Sequence, residues 1–284
     1  MVTLAGCVQA DTGENSNTDV SAYLPEQNLT LWTMPLDQYM VTKAQSQRES
    51  YATALLTQEC LDEQGFVNQV PSMSFVDDPD DLGIRDVFTP EIVSEFGYHS
   101  PGVMREENAD WQAYASRPMS DGEAVAVDGC VRDVLDAGLV RYENQVLNFA
   151  TGLAQSAFSG SLQAPEVKET ATAWRECMAP RGVEDLPEDP SGMPSESLSS
   201  RFGLAATPDA GQTLTVTQEE IDLASFDAKC RQSSGYEQAR YRAEWSRQVT
   251  LLAENLTALE DAKSQIADID RSLSEVIASH APAA

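Results

Sequence analysis

Apolar positions recur at helical spacing along most of this chain, and no alternation of strand and helix patterns accompanies them. Ala44, Tyr51, Ala52, Leu55, Leu56 and Cys60 mark one face of a helix expected from near Thr42 to Gln64, with neither Pro nor Gly inside it. Gly65 stands where a left-handed residue closes a helix. A second helix is expected from near Pro165, with Ala171, Trp174, Cys177 and Met178 on its face and Pro180 ending it. The longest pattern runs from about Gln238 to Ser279. Its seam of Trp245, Val249, Leu252, Leu256, Leu259, Ile266, Leu273 and Ile277 is interrupted by polar Lys263 and Asp270. About 40 residues at ~1.5 Å each give roughly 60 Å of helix. Such a seam packs along the chain's own body or forms a coiled coil with a partner.

Between these helices the pattern lapses. Residues 67–119 and 184–216 are irregular in composition, and long structureless loops are uncommon in compact domains. Both contain Ser-x-Phe-Gly, at Ser94 and Ser200, which predicts short helical turns. Two helix starts fit the capping box, in which a hydroxyl and a carboxylate satisfy exposed amides reciprocally: Ser120 with Glu123, and Thr217 with Glu220. Ahead of the first helix, Leu29 to Met40 reads LTLWTMPLDQYM, too apolar for a free linker. It is expected to be an arm packed on the body, with a ligand-facing aromatic site as the sharper alternative.

The cysteines add an order to this pattern. ECLDEQGF, Glu59 to Phe66, and ECMAPRGV, Glu176 to Val183, share Glu-Cys, a Leu or Met, three variable residues, Gly and an apolar residue. Each is followed by Phe-Gly, a capping box, an Asp with a cysteine (Asp128 with Cys130, Asp227 with Cys230) and Arg-Tyr (Arg141-Tyr142, Arg240-Tyr241). The shared order predicts a mainly α, duplicated helical domain with long helices and irregular disulfide-stapled loops. Its parts would be a tether at 1–22, a first half at 23–160 and a second half at 161–284. Four cysteines allow three pairings. Duplication favours Cys60 with Cys130 and Cys177 with Cys230, and Cys60 with Cys177 is the main competitor. Loops of this length would each stabilise the fold by about 4 kcal/mol in the chain-entropy model.

Charge and the N-terminus suggest a location. There are 46 Asp and Glu against 18 Lys and Arg, a net charge of −28, which repels phosphate backbones and excludes nucleic acid as a partner. No run reaches the roughly 20 apolar residues that span a bilayer. Leu4-Ala5-Gly6-Cys7 resembles the lipobox of bacterial lipoproteins, in which the cysteine thiol receives diacylglycerol. A basic and apolar leader is expected ahead of such a cysteine, where this sequence has six residues. The polar VQADTGENSNTDVSA that follows reads as a flexible tether. Two acyl chains would suffice for stable anchoring.

The run MPLDQYMVTKAQSQRESYATALLTQECLDEQGF, with the later WRECM and FDAKC, resembles a group of uncharacterised secreted lipoproteins of high-GC Gram-positive bacteria. The resemblance covers most of residues 34–232. Cys130 departs from its pattern, since Asp128 lies two residues before it rather than three. The resemblance implies an envelope location and carries over no catalytic residue.

Candidate chemistry is sparse. No Cys-x2-Cys occurs and there are two histidines, His99 and His280, which disfavours zinc and redox catalysis. No Gly-x-Ser-x-Gly accompanies His99, and no phosphate-binding glycine loop or Rossmann fingerprint is present. The acidic run Asp77 to Asp81 offers hard oxygens to Ca²⁺ but lacks EF-hand spacing. The expectation is a protein without catalytic residues or cofactor, lipid-anchored through Cys7 at the extracytoplasmic face of the cell membrane. It would bind or scaffold within an envelope complex, with the C-terminal helix as a partner surface. The alternative is an envelope hydrolase with an acidic site.

Overall fold

In the computed structural model, residues 19–67, 69–78, 81–82, 88–100, 108–142, 144–204 and 215–282 are described, with backbone alone at 144–147. They form nine α-helices and no strand: α1 Lys43–Glu63, α2 Pro90–Phe96, α3 Ala109–Ala115, α4 Asp121–Asp136, α5 Asn144–Ser161, α6 Pro165–Met178, α7 Glu196–Phe202, α8 Gln218–Ser234 and α9 Tyr236–His280. The mainly α expectation holds. No described helix is long and apolar enough to cross a membrane.

Helix α9 organises the rest. Its 45 residues follow α8 directly, across Gly235 in the left-handed conformation (φ 72°). Near its start Tyr236 and Ala243 pack on Val167 and Ala171 of α6. In its middle Leu252 and Leu259 pack on Ala150 and Ala154 of α5 and on Leu36 and Tyr39 of the arm. Toward its end Ile266, Ile269 and Leu273 pack on Ala52 of α1 and on Tyr142. The predicted seam is therefore consumed inside the chain, with Leu252, Leu259 and Leu273 fully buried. Of the two expectations for the seam, packing along the chain's own body is the one observed. The seam's interruptions are explained by pairing. Asp270 accepts from Arg48 Nη1 at 3.1 Å and from Tyr142 Oη at 3.4 Å. Lys263 Nζ donates to Gln38 Oε1 at 2.9 Å.

The arm is packed as expected. Met34, Leu36 and Tyr39 are wholly buried. Hydrogen bonds fix the arm alongside α9 in the same direction. Asn28 N donates to Tyr241 Oη at 3.0 Å, Leu36 N to Gln248 Oε1 at 3.0 Å, and Tyr39 Oη to Glu260 Oε1 at 2.8 Å. Each satisfies a polar group that the apolar packing would otherwise strand.

The disulfides close within each half. Cys60–Cys130 ties the end of α1 to α4, and Cys177–Cys230 ties the end of α6 to α8, with Cα separations of 5.7 and 5.6 Å. Cross-half pairing is thereby excluded. The duplication itself is not visible. Asp227 is fully buried and bonded whereas Asp128 is exposed. Tyr241 lies within α9 whereas Tyr142 lies in the segment after α4.

Capping also differs from expectation. The reciprocal box belongs to Thr42 and Gln45, where Gln45 N donates to Thr42 Oγ1 at 3.2 Å and Thr42 N to Gln45 Oε1 at 2.9 Å. Ser120 and Thr217 do cap α4 and α8. The carboxylates assigned to those boxes are engaged elsewhere, Glu123 with Arg117 and Glu220 with the segment after α2. Both Phe-Gly pairs end short helices, α2 and α7, on left-handed glycines. α9 continues through His280, one residue past the expected end at Ser279.

Candidate functional site

Where α8 passes into α9, a cleft of about 1070 Å³ opens against the arm. That is the size of a small-molecule site. Its walls come from five separate segments. The arm contributes Leu29 and Trp32, α5 contributes Ala154 and Phe158, and the start of α2 contributes Phe88 and Pro90. The segment at 190–194 adds Pro190 and Met193, and the α8–α9 junction adds Arg231, Tyr236 and Arg240. The lining is mainly apolar and aromatic, with a few charged groups set into it.

Behind one wall lies a buried polar hub. Asp227 of α8 accepts from Trp174 Nε1 at 2.7 Å, from Arg231 Nε and Nη2 at 2.9 and 3.1 Å, and from Tyr98 Oη at 3.3 Å. Arg231 also donates to Pro190 O at 2.8 Å and to Glu237 Oε1 at 3.3 Å. Its guanidinium lies 4.3 Å from the Phe88 ring centre. Burial alone would ease its proton off, but Asp227 and Glu237 outweigh burial and bind the proton more tightly than in water. The Tyr98 hydroxyl is pushed up by burial and then by the Asp227 charge. Tyr236 is pushed up by burial and by its bond to Asp189 Oδ1 at 2.5 Å. These hydroxyls stay neutral at any physiological pH. The hub is a saturated structural network, and its donors are already engaged.

Arg240 is different. Its guanidinium lies over two rings, 4.1 Å from the Trp32 centre and 5.4 Å from that of Phe158. Stacking of this kind holds the plane of the group and leaves its N–H edge for a ligand. The nearest carboxylate is Glu237, with Oε2 at 4.0 Å from Nε. That Nε is buried without a hydrogen-bond partner among the described residues. Trp32 is itself strained, a non-glycine residue at φ 53°. Its indole Nε1 donates to Glu244 Oε2 at 3.3 Å, and its ring meets Tyr241 edge-on at 5.3 Å. These contacts hold the indole over Arg240 despite the backbone cost, which is about 1–3 kcal/mol for such a conformation.

The residues singled out from sequence lie elsewhere. Cys7 is outside the described residues. Within the acidic run, Pro79 and Asp80 are also outside them, while Asp77 pairs with Arg48, and Asp81 Oδ2 lies 3.7 Å from Lys43 Nζ. No group of three or more His, Cys, Asp or Glu side chains is arranged to hold a metal ion among the described residues. The His99 side chain is buried, with Nδ1 2.9 Å from Glu220 Oε1, the oxygen that also accepts from Tyr98 N at 2.8 Å. Glu220 thus clamps the end of α2 onto α8, and Gly97 is required there because a Cβ would strike its carboxylate. His280 Nε2 lies 3.8 Å from Glu59 Oε1, beside the first disulfide.

Sequence alone does not reveal the cleft. Its one signal is the excess of large apolar groups in the arm, where the packed reading holds: Met34, Tyr39 and Trp32 are all buried, and Trp32 also borders the cleft. Arg240 stood out only as a landmark of the shared order. Comparison with protein-family models, with curated proteins and with solved structures finds no match.

Proposed function

We propose that this chain is the body of a lipid-anchored binding protein at the extracytoplasmic face of the cell membrane, with the cleft at the α8–α9 junction as its binding surface. The observation that carries the location is the pair of disulfides closing long loops, Cys60–Cys130 over 70 residues and Cys177–Cys230 over 53. Such staples persist in oxidising compartments. The lipobox-like Leu4-Ala5-Gly6-Cys7 and the resemblance to secreted lipoproteins support the same location. The tether would set the height of the body above the bilayer, and the acidic surface would keep it off anionic headgroups. Binding is favoured over pure scaffolding because the long apolar seam of α9 is already buried, while the cleft offers concave apolar surface lined by Arg240, whose Nε has no hydrogen-bond partner among the described residues.

The test is metabolic labelling with a radioactive fatty acid in a high-GC Gram-positive host, followed by fractionation and thiol trapping. Label and membrane association that both vanish in Cys7→Ala, with four cysteines blocked to alkylation until reduced, is the expected outcome. An unlabelled protein, or one whose four cysteines alkylate without reduction, would overturn the location.

A further inference from the structure

We propose that the cleft takes a small monocarboxylate with an apolar body, its carboxylate held on the guanidinium edge of Arg240 and its body against Met40, Ala154 and Met193 of the cleft wall. This deepens, and rests on, the reading of the cleft as the binding surface.

Of the two arginines lining the cleft, Arg231 has its donors engaged by Asp227, Pro190 and Glu237. Arg240 lies over the rings of Trp32 and Phe158, its buried Nε has no hydrogen-bond partner among the described residues, and its ion pair with Glu237 is long, at 4.0 Å. A fork of N–H donors fixed in plane is the geometry that recognises a carboxylate or phosphate oxygen pair. Charge decides between those two. Glu91, Glu237 and Glu244 also line the cleft, and the whole chain carries −28. Attraction to Arg240 and repulsion from those carboxylates both grow in proportion to the ligand's charge. The cost of stripping water from the ligand in a mainly apolar cleft grows with the square of that charge, which favours a monoanion over a dianionic phosphate or a polyphosphate.

The body of the ligand follows from the walls. Trp32 and Phe158 flank the guanidinium, and Ala154, Met40 and Met193 line the cleft with them. These surfaces reward an apolar chain or ring, and methionines adapt to irregular shapes. The strained backbone at Trp32 fits a ligand-facing role, since conformations of this kind concentrate at binding sites and are held there by surrounding contacts.

The experiment is isothermal titration of the full protein with 3-phenylpropionate and decanoate, and with the matched alcohols 3-phenylpropanol and decanol. Wild type is compared with Arg240→Gln and Arg240→Lys, each first shown to melt as wild type does. The expected result is binding of the carboxylates in preference to the alcohols. Arg240→Gln should weaken it roughly tenfold to a hundredfold, the usual loss for a charge-assisted bond. Arg240→Lys should fall between. Should Arg240→Gln fail to fold, Arg240→Lys alone must still lower the carboxylate preference. Alcohols binding as well as acids, with no effect of either variant, would overturn the carboxylate assignment and leave the cleft as a binding surface. No heat from any of the four compounds would overturn both.

Discussion

Replacing Asp227 by Asn tests the buried hub that backs the cleft. The side chain keeps its shape, and its amide oxygen still accepts from Trp174 Nε1, which sits at 2.7 Å in the native protein. What is lost is the negative charge facing Arg231, whose Nε and Nη2 lie 2.9 and 3.1 Å away. Breaking a buried ion pair from one side costs about 3–5 kcal/mol, because the other charge is left without compensation. Arg231 would retain Glu237 at 3.3 Å and Pro190 O at 2.8 Å, which places the expected cost near the lower end, ~3 kcal/mol. That is more than a hundredfold in the folding equilibrium. The assay is urea unfolding followed by tryptophan fluorescence, with both disulfides kept oxidised. Asp227→Asn, Arg231→Met and the double variant complete a cycle. Once Arg231 is gone, the loss of Asp227's charge should matter much less, so the double variant should cost well under the sum. A cost below about 1 kcal/mol for Asp227→Asn alone, or additive costs, would refute the hub.

Other consequences can be measured on the same material. Changing Cys60 and Cys130 to Ser, or Cys177 and Cys230 to Ser, should each remove about 4 kcal/mol in urea unfolding. The second pair should couple to Asp227→Asn, because Cys230 packs against Trp174. Gly97→Ala places a Cβ into the Glu220 carboxylate at a φ of 59° and should cost about 1–3 kcal/mol, read as a lower melting temperature. Tyr39, Tyr98, Tyr142 and Tyr236 all have hydroxyls pushed above the ordinary tyrosine range, mainly by burial. A raised folded pKa stabilises below the unfolded value, near 10, and that contribution is lost as pH rises through the folded value. Alkaline titration should therefore show these four of the eight tyrosines ionising only as the protein unfolds, with stability falling above about pH 10. At the acid end Asp185, held down to about 2 by the hydroxyls of Ser197 and Ser195 and the amide of Ser197, contributes above the unfolded carboxylate range and loses that contribution as pH falls toward 2. Asp185→Asn should flatten this acid limb in unfolding measured against pH.

The helices were legible because their signals are local. An uninterrupted face from Ala44 to Cys60 and a seam from Trp245 to Ile277 each declare a helix within a few turns, and both helices form within a few residues of the expected bounds. What each face packs against is a matter of tertiary pairing. A seam with the spacing of a coiled coil reads the same whether its partner is another chain or α1, α5 and the arm. Capping boxes were misassigned for a related reason. Ser120 and Thr217 do cap, but a carboxylate three residues on is free to answer a distant group, and Glu220 answers Tyr98 and His99 from 122 and 121 residues away. The cleft was the least legible feature. Trp32 and Arg240 are 208 positions apart in the chain, and neither residue type at its position signals the other.

The arm's hydrogen bonds to α9 span 208 to 225 residues of sequence, from Thr33–Tyr241 to Gln38–Lys263. During synthesis at roughly 5–20 residues per second, that separation is on the order of ten to forty seconds. The arm leaves the ribosome near the start and finds its seat near the end. Until α9 exists, Met34, Leu36 and Tyr39 have no core to enter and must remain exposed or be shielded. A segment made long before α9 settles only after it, and the Trp32–Arg240 contact forms with it. A nascent chain stalled before α9 would contain Trp32 without a cleft for it to line.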